Sequence, residues 1–341
     1  MITGSQQQGP FVEAVARFEA AVREQEPEQA ERAFGEMGRA YRDAAPQEMA
    51  QAAPRLAALL PEVPPGPRGT IAVLVGACVE SGADPRPCAP HIFVELAENL
   101  AAAGEFAERW AETGGGDFPD PESGEVDPAV FERVGPEAAL AWLSMPQWEM
   151  ACVAMLSDPA VRTALDGSLR ARLLRGIRAV AEASGHEFKC LTYALLVLDD
   201  EPLVVLHRPT GTGYRMRMSG IGDNFQLHTL LADVLVGGGH VPGRAPSPQE
   251  AAVCRDAPGQ VHTVGSFNLV APGGEWVWNE GTPTDIPVVD GVRLLVLDPP
   301  AYERSWPSGR FFPRMTGDLV LERVLDAAET RYWLEGCEPP K

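Results

Sequence analysis

The chain has 341 residues, 45% of them hydrophobic and 22% charged, the composition of a folded protein long enough to build two cores. Its 28 basic and 48 acidic residues leave a formal charge of −20, which repels phosphate backbones and anionic lipid and so disfavours nucleic-acid and membrane partners. No stretch reaches the roughly 18 continuous apolar residues of a membrane span; the longest, Ile71–Val79, stops at Glu80, and the opening MITGSQQQGP has neither the basic nor the apolar part of a secretory signal.

Positive charge is almost entirely Arg, since Lys occurs only at 189 and 341. Cys78, Cys88, Cys152, Cys190, Cys254 and Cys337 are spread over the whole length, with no pair at the spacing of a zinc knuckle or a redox motif. Free thiols in a reducing compartment follow, and the expected location is cytoplasmic.

In chain order, Phe11, Val15, Phe18 and Val22 recur at steps of four, three and four, and so do Ala30, Phe34, Met37 and Tyr41 after Pro27. Each set forms one stripe of an α-helix, and the short link between them predicts a helix hairpin. A third helix is expected at Gln47–Leu60, before the Pro-rich connector PEVPPGPRG. This opening resembles one tetratricopeptide-like unit, but no second copy follows at a fixed period and no repeat array is expected.

Thr70–Val79 is apolar all round, as a buried helix is, and Ser81–Pro90 is a Pro-rich loop. Phe93, Leu96, Leu100, Ala103, Ala107 and Trp110 define a long amphipathic helix. The acidic Gly/Pro-rich stretch 113–128 is expected to be a loop or linker. Helices are expected again at Ala129–Met145, Gln147–Leu156 and Ser168–Ala183, with Gly185 closing the last and Trp142 and Trp148 as core anchors.

Beyond Gly185 the period changes. Leu191–Leu198 and Leu203–His207 read as two strands of a hairpin turning at Asp199–Pro202. Tyr214, Met216 and Met218 alternate with Arg215 and Arg217, as in a half-buried strand. Helices are expected at Phe225–Val236, Gln249–Arg255 and Asp318–Glu335, the last capped by Asp318 and followed by Gly336. Strands are expected at Val261–Val264, Phe267–Val270, Glu275–Asn279 and, centrally, Val292–Leu297. The expected architecture is α+β: an all-helical part over residues 1–185, then a mainly antiparallel sheet domain with packed helices over residues 186–341.

Most candidate sites lie in the second part. Ser219, Gly220 and Gly222 belong to SGIGDN, a Gly-containing turn between a strand and a helix, where backbone N–H groups can meet an anion at the positive end of the helix. The turn lacks the third glycine of a dinucleotide fingerprint and the Gly-Lys-Ser/Thr of a phosphate loop, and Asp223 can itself occupy the cap. His207, His228, His240 and His262 are four of the six histidines. His207, His240 and His262 are candidate metal ligands, and Asp223 with His228 a candidate acid–base pair, although no compact ligand motif is present and each has a plain structural reading.

Trp276 and Trp278 alternate onto one side of their segment near Trp306, Tyr302, Phe311 and Phe312, and can line a ligand face or belong to the core. VRLLVLDPPAYERSW ends a buried strand in Asp298. Its Asp-Pro-Pro is similar to the Asp/Asn-Pro-Pro-aromatic tetrapeptide of adenine-modifying methyltransferases, but Ala301 stands where the aromatic would be, and the upstream Gly-rich cofactor turn is missing. Arg170, Arg172, Arg175 and Arg178 crowd one helix and can meet either an acidic partner or the chain's own carboxylates. Cys190, beside Lys189 at the start of an apolar run, reads as a buried thiol.

No catalytic signature is complete, Gly-x-Ser-x-Gly included. The first functional expectation is therefore a recognition or accessory protein whose second part binds a peptide, protein or small ligand; the second is an enzyme with an unfamiliar His/Asp site. No cofactor and no oligomeric state is indicated.

Overall fold

The computed structural model describes residues 9–123 and 127–341; the opening segment up to residue 8 and residues 124–126 of the acidic loop lie outside them. The chain divides into two compact units, the first ending at Leu195 and the second running Leu196–Lys341.

In the first unit proline sets most of the helix starts, because its fixed φ suits the first turn and its missing N–H would be unpaired there anyway. Helices α1 (Pro10–Arg23), α2 (Pro27–Tyr41), α3 (Pro46–Leu59), α4 (Pro65–Glu80) and α5 (Ala89–Glu112) come first. They are followed by α6 (Pro128–Val134), α7 (Pro136–Leu143), α8 (Met145–Leu156), α9 (Pro159–Ala164), α10 (Gly167–Ser184) and α11 (Lys189–Leu196). The stripes of α1 and α2 meet as a hairpin, with Phe11 against Tyr41 at 5.8 Å and Phe18 against Phe34 at 6.2 Å between ring centres. Helix α4 approaches α8 closely because of Gly76: a Cβ there would come within 3.3 Å of Ala151 Cα. The expected single helix at Ala129–Met145 is instead two, since Gly135 (φ 88°) precedes Pro136 and breaks the run.

Two readings of this region change and one sharpens. The described part of the acidic stretch is a loop, as expected, and it is packed in place: Trp142 Nε1 donates to the Pro119 carbonyl at 2.8 Å, Trp110 Nε1 to that of Gly116 at 3.2 Å, and Phe118 lies against Phe106, Trp110 and Trp142. Trp142 and Trp148 are buried as expected. Leu191–Leu198 is not a strand. Leu191, Ala194 and Leu195 bury one face of α11, and Glu149 Oε1 accepts from the Leu191 amide at 2.7 Å, so a short apolar run without alternation has become helix. The helical part thus extends to Leu196. Cys190 is exposed, with its thiol pushed up by partial burial and by the Glu149 charge.

The second unit contains β1 (Glu201–His207), β2 (Thr212–Ser219), α12 (Asn224–Ala232), α13 (Pro248–Arg255), β3 (Val261–Val264) and β4 (Asn268–Val270). It continues with β5 (Val288–Val289), β6 (Val292–Asp298), β7 (Ser305–Ser308), β8 (Asp318–Val324) and α14 (Ala327–Glu335). The main sheet runs β4-β6-β1-β2-β8, with β5 also on β6, and β3 pairs with β7 separately. All these pairings are antiparallel except β1 with β6. The hairpin is therefore β1–β2 turning at 208–211, not 191–207.

Side-chain alternation gives the sheet two buried faces. Leu203, Val205, Met216, Leu295 and Leu297 join Leu227, Leu230 and Leu231 of α12, whereas Val204, Leu206, Leu294 and Val296 join Leu325 and Trp333. Two further expectations are corrected. Asp318–Val324 is a strand, and the closing helix starts after Asp326, whose side chain accepts from Ala328 N and Glu329 N in a capping box. Glu275–Asn279 forms only one bridge, Trp276 with Val270, where a strand was expected.

Candidate functional site

The SGIGDN turn is committed to the fold. Gly220 adopts φ 67° and has no room for a side chain, because a Cβ would fall on the Thr316 carbonyl oxygen. The turn's amides are used internally: Gly220 N donates to Leu198 O, Gly222 N to Gln226 Oε1 and Asn224 N to Gly281 O, each at 2.9 Å. Ser219 Oγ accepts from Asp200 N at 2.8 Å. Asp223 is the N-cap of α12, accepting from Gln226 N at 2.8 Å. A negative side chain thus already sits where an anion would dock.

His228, one turn along α12, is 1% exposed. Its Nε2 accepts from the amides of Ser266 at 3.0 Å and Phe267 at 3.3 Å, and Trp306 stands edge-on at 4.8 Å between ring centres. Burial first and the Arg304 charge second hold its imidazole down at about 3, so it is neutral at physiological pH. Asp223 and His228 therefore lie on the same helix with separate tasks, one capping and one filling the interior.

The other histidines are dispersed. His207 ends β1, buried, with Nδ1 on Thr210 Oγ1 at 2.8 Å; burial lowers its pKa, with the Asp298 charge opposing. His240 is exposed beside Tyr214, whose hydroxyl donates to the His240 carbonyl at 3.1 Å. His262 is exposed on β3. Among the described residues no three His, Cys, Asp or Glu side chains are grouped to hold a metal ion.

Trp276 and Trp278 reach solvent side by side. Val277 N donates to Leu269 O at 2.9 Å, which directs Val277 into the core and its two neighbours the other way. Trp276 and Trp278 are 5.6 Å apart between ring centres, and Trp276 lies 6.5 Å from Tyr302. Trp278 is 61% and Tyr302 57% exposed, values that remove them from the core. Arg304, which the sequence reading did not select, completes the group. Its guanidinium carbon is 5.6 Å from the Tyr302 ring centre and its Nη2 donates to the Phe267 carbonyl at 3.0 Å. Trp306 and Phe312, by contrast, are buried.

Asp298, at the end of β6, is buried and pairs across the sheet with Asn268. Its Oδ1 accepts from Arg208 Nε at 2.8 Å, an ion pair invisible in sequence because Arg208 lies in the turn between β1 and β2 and Asp298 at the end of β6. In the first unit, Arg170 donates to the carbonyls of Leu195 and Arg162, and Arg172 pairs with Glu98 at 3.0 Å, so the Arg cluster is partly used within the chain. No helix among the described residues is long and apolar enough to cross a membrane. Comparison with protein-family models, curated proteins and solved structures finds no match to this chain, and the reading of its sites rests on their own chemistry.

Proposed function

We propose that the chain is a cytoplasmic recognition or accessory protein whose second unit binds a peptide, protein or small ligand through Trp276, Trp278 and Tyr302, with Arg304 at their edge. The observation that carries this reading is the exposure of Trp278 and Tyr302, large rings that face water while touching a common neighbour. Tryptophan and tyrosine concentrate binding energy because they offer large contact area at low conformational cost, and arginine adds directed hydrogen bonds and stacking. Six unpaired cysteines support a reducing compartment. The alternative of an acid–base enzyme built on Asp223 and His228 has less support, since the first carboxylate caps a helix and the imidazole is enclosed and neutral.

The test is affinity capture from the source cells with the full chain and with the Trp276→Ala/Trp278→Ala double variant. A binding isotherm is then measured on whatever the native chain retains. The reading expects a saturable ligand that loses at least tenfold in affinity with the double variant, while circular dichroism stays unchanged. Equal binding by both proteins would sink it.

A further inference from the structure

Helices α4 and α8 run side by side in the same direction. Gly69 faces Ser144 and Gln147, while Gly76 faces Ala151 and Ala154, so the same step along one helix matches the same step along the other. Gln147 Nε2 donates to Thr70 Oγ1 at 3.4 Å in the same register. Beside the Gly76 contact these helices and the start of α11 enclose a cleft of about 330 Å³, within the range of about 300–1,000 Å³ common to small-molecule sites.

The middle of the cleft is apolar and its side chains are small: Gly76 and Ala77 from α4, Val153 and Ala154 from α8. Glu80 of α4 and Glu149 of α8 line it as well, and no Arg, Lys or His is among its lining residues. Lys189, which precedes the lining residue Cys190, holds its ammonium 5.1 Å from the Tyr193 ring centre.

The helix register sets the two carboxylates toward opposite ends. Glu149 is level with the turn of α4 around Val73, and Glu80 lies two turns beyond Val73, about 10 Å of helical rise. Side chains lean toward the N-terminus of any α-helix, and because α4 and α8 point the same way this lean preserves the separation. At its own end Glu149 Oε1 accepts from the Leu191 amide at 2.7 Å, which fixes the carboxylate in place. Burial above all pushes the Glu149 pKa up, against that amide and the His186 charge, so a cation beside it restores the charged form.

A cleft that is apolar along its length and acidic at either end fits a short hydrocarbon chain that is positive at both ends. A metal ion would leave the apolar middle unfilled, and among the described residues no three His, Cys, Asp or Glu are grouped to hold one. A monoamine would use only one of the two carboxylates. We infer that the α4–α8 cleft is a binding site for a linear aliphatic diammonium ion, its methylenes against Gly76, Ala77, Val153 and Ala154 and its ammonium groups at Glu80 and Glu149. The site lies within the first unit and stands whether or not the aromatic face of the second is a binding face.

The test is titration calorimetry of the full chain with putrescine, set against butylamine, which has the same carbon chain and a single charge. The expected result is one putrescine per chain, bound about tenfold or more tightly than butylamine, since a hydrogen bond to a charged group contributes about that factor. Glu80→Gln and Glu149→Gln should each lose a similar factor. Glu149→Gln keeps an acceptor for the Leu191 amide, and circular dichroism checks that the fold is retained. Cys190, exposed and lining the cleft, supplies a second readout: putrescine should slow its alkylation by iodoacetamide, followed by mass spectrometry of its peptide. Should Glu149→Gln not fold, Glu80→Gln and the protection of Cys190 decide. No saturable binding, butylamine bound as tightly as putrescine, several putrescines bound without a preferred site, or unchanged affinity in the variants would each overturn the assignment.

Discussion

Two sides of one short segment, Trp276–Asn279, illustrate how this unit separates stability from display. Val277 and Asn279 point inward, 6% and 4% exposed, toward the core and toward His228, whereas Trp278 next to them is 61% exposed. The inner side chains are held by surroundings that penalise any change, while the outer ones could be removed without opening a cavity. The same backbone therefore carries one set of residues constrained by packing and another free to be shaped by a ligand.

That contrast can be broken most forcefully from the inside. His228→Ala removes the acceptor of two buried amides and empties a filled volume, and is expected to cost roughly 3–5 kcal/mol in urea unfolding; a loss below about 1 kcal/mol would mean that the imidazole is not enclosed.

Acid probes the same residue more gently. Burial keeps His228 at about 3 in the folded chain, against about 6.5 when unfolded, so below pH 6.5 the unfolded chain binds a proton that the folded chain refuses. This contribution is complete above about pH 6.5 and falls by up to about 1.4 kcal/mol per pH unit down toward pH 3. His207, also lowered by burial, acts in the same direction. The matching NMR titration should show His228 shifts unmoved from pH 7 to pH 4; an ordinary midpoint near 6.5 would place that side chain in water.

From the outside the smallest effect is expected. Trp278→Ala should change unfolding free energy by no more than about 0.5 kcal/mol, while abolishing most ligand binding. A large destabilisation would assign the ring to the core and erase the contrast.

Much of the architecture is written in periodicity. The α1 and α2 stripes and the alternation over Tyr214–Met218 survive unchanged because one face of each is buried against a partner, and β6 is apolar throughout because both of its faces are buried. Leu191–Leu198 misleads because a short apolar run has no period to read, and its helical state shows only in tertiary contacts: one buried face and a Leu191 amide that donates to Glu149 of another helix. Asp318 resembles a cap, yet the capping box lies at Asp326 and Glu329, and Leu319 is already facing inward from a strand.

The site was legible only in part. A Trp-x-Trp repeat announces itself, but Tyr302 and Arg304 reach it through an irregular segment, and Asn224 and Asn279 are polar residues in the core that no pattern marks. The histidines carry the opposite lesson. Closeness in sequence gathered them, while a turn leaves His240 and strand β3 leaves His262 at the surface, and α12 directs His228 to the interior.

The parallel pairing of β1 with β6 also bears on how the unit assembles. Val205 meets Tyr214 across a tight hairpin, but the same strand meets β6 only after everything from α12 to β5 has been laid down, with Leu203 opposite Arg293. Closing so long a loop is entropically slow, whereas the hairpin is local. Pulsed hydrogen exchange during refolding should therefore protect amides of β1 and β2 before those of β6, and simultaneous protection would show that the sheet forms in one step. An incomplete chain ending before Val292 would leave one flank of β1 without its neighbour, a bare strand available for misassembly until the final segment from Val292 arrives.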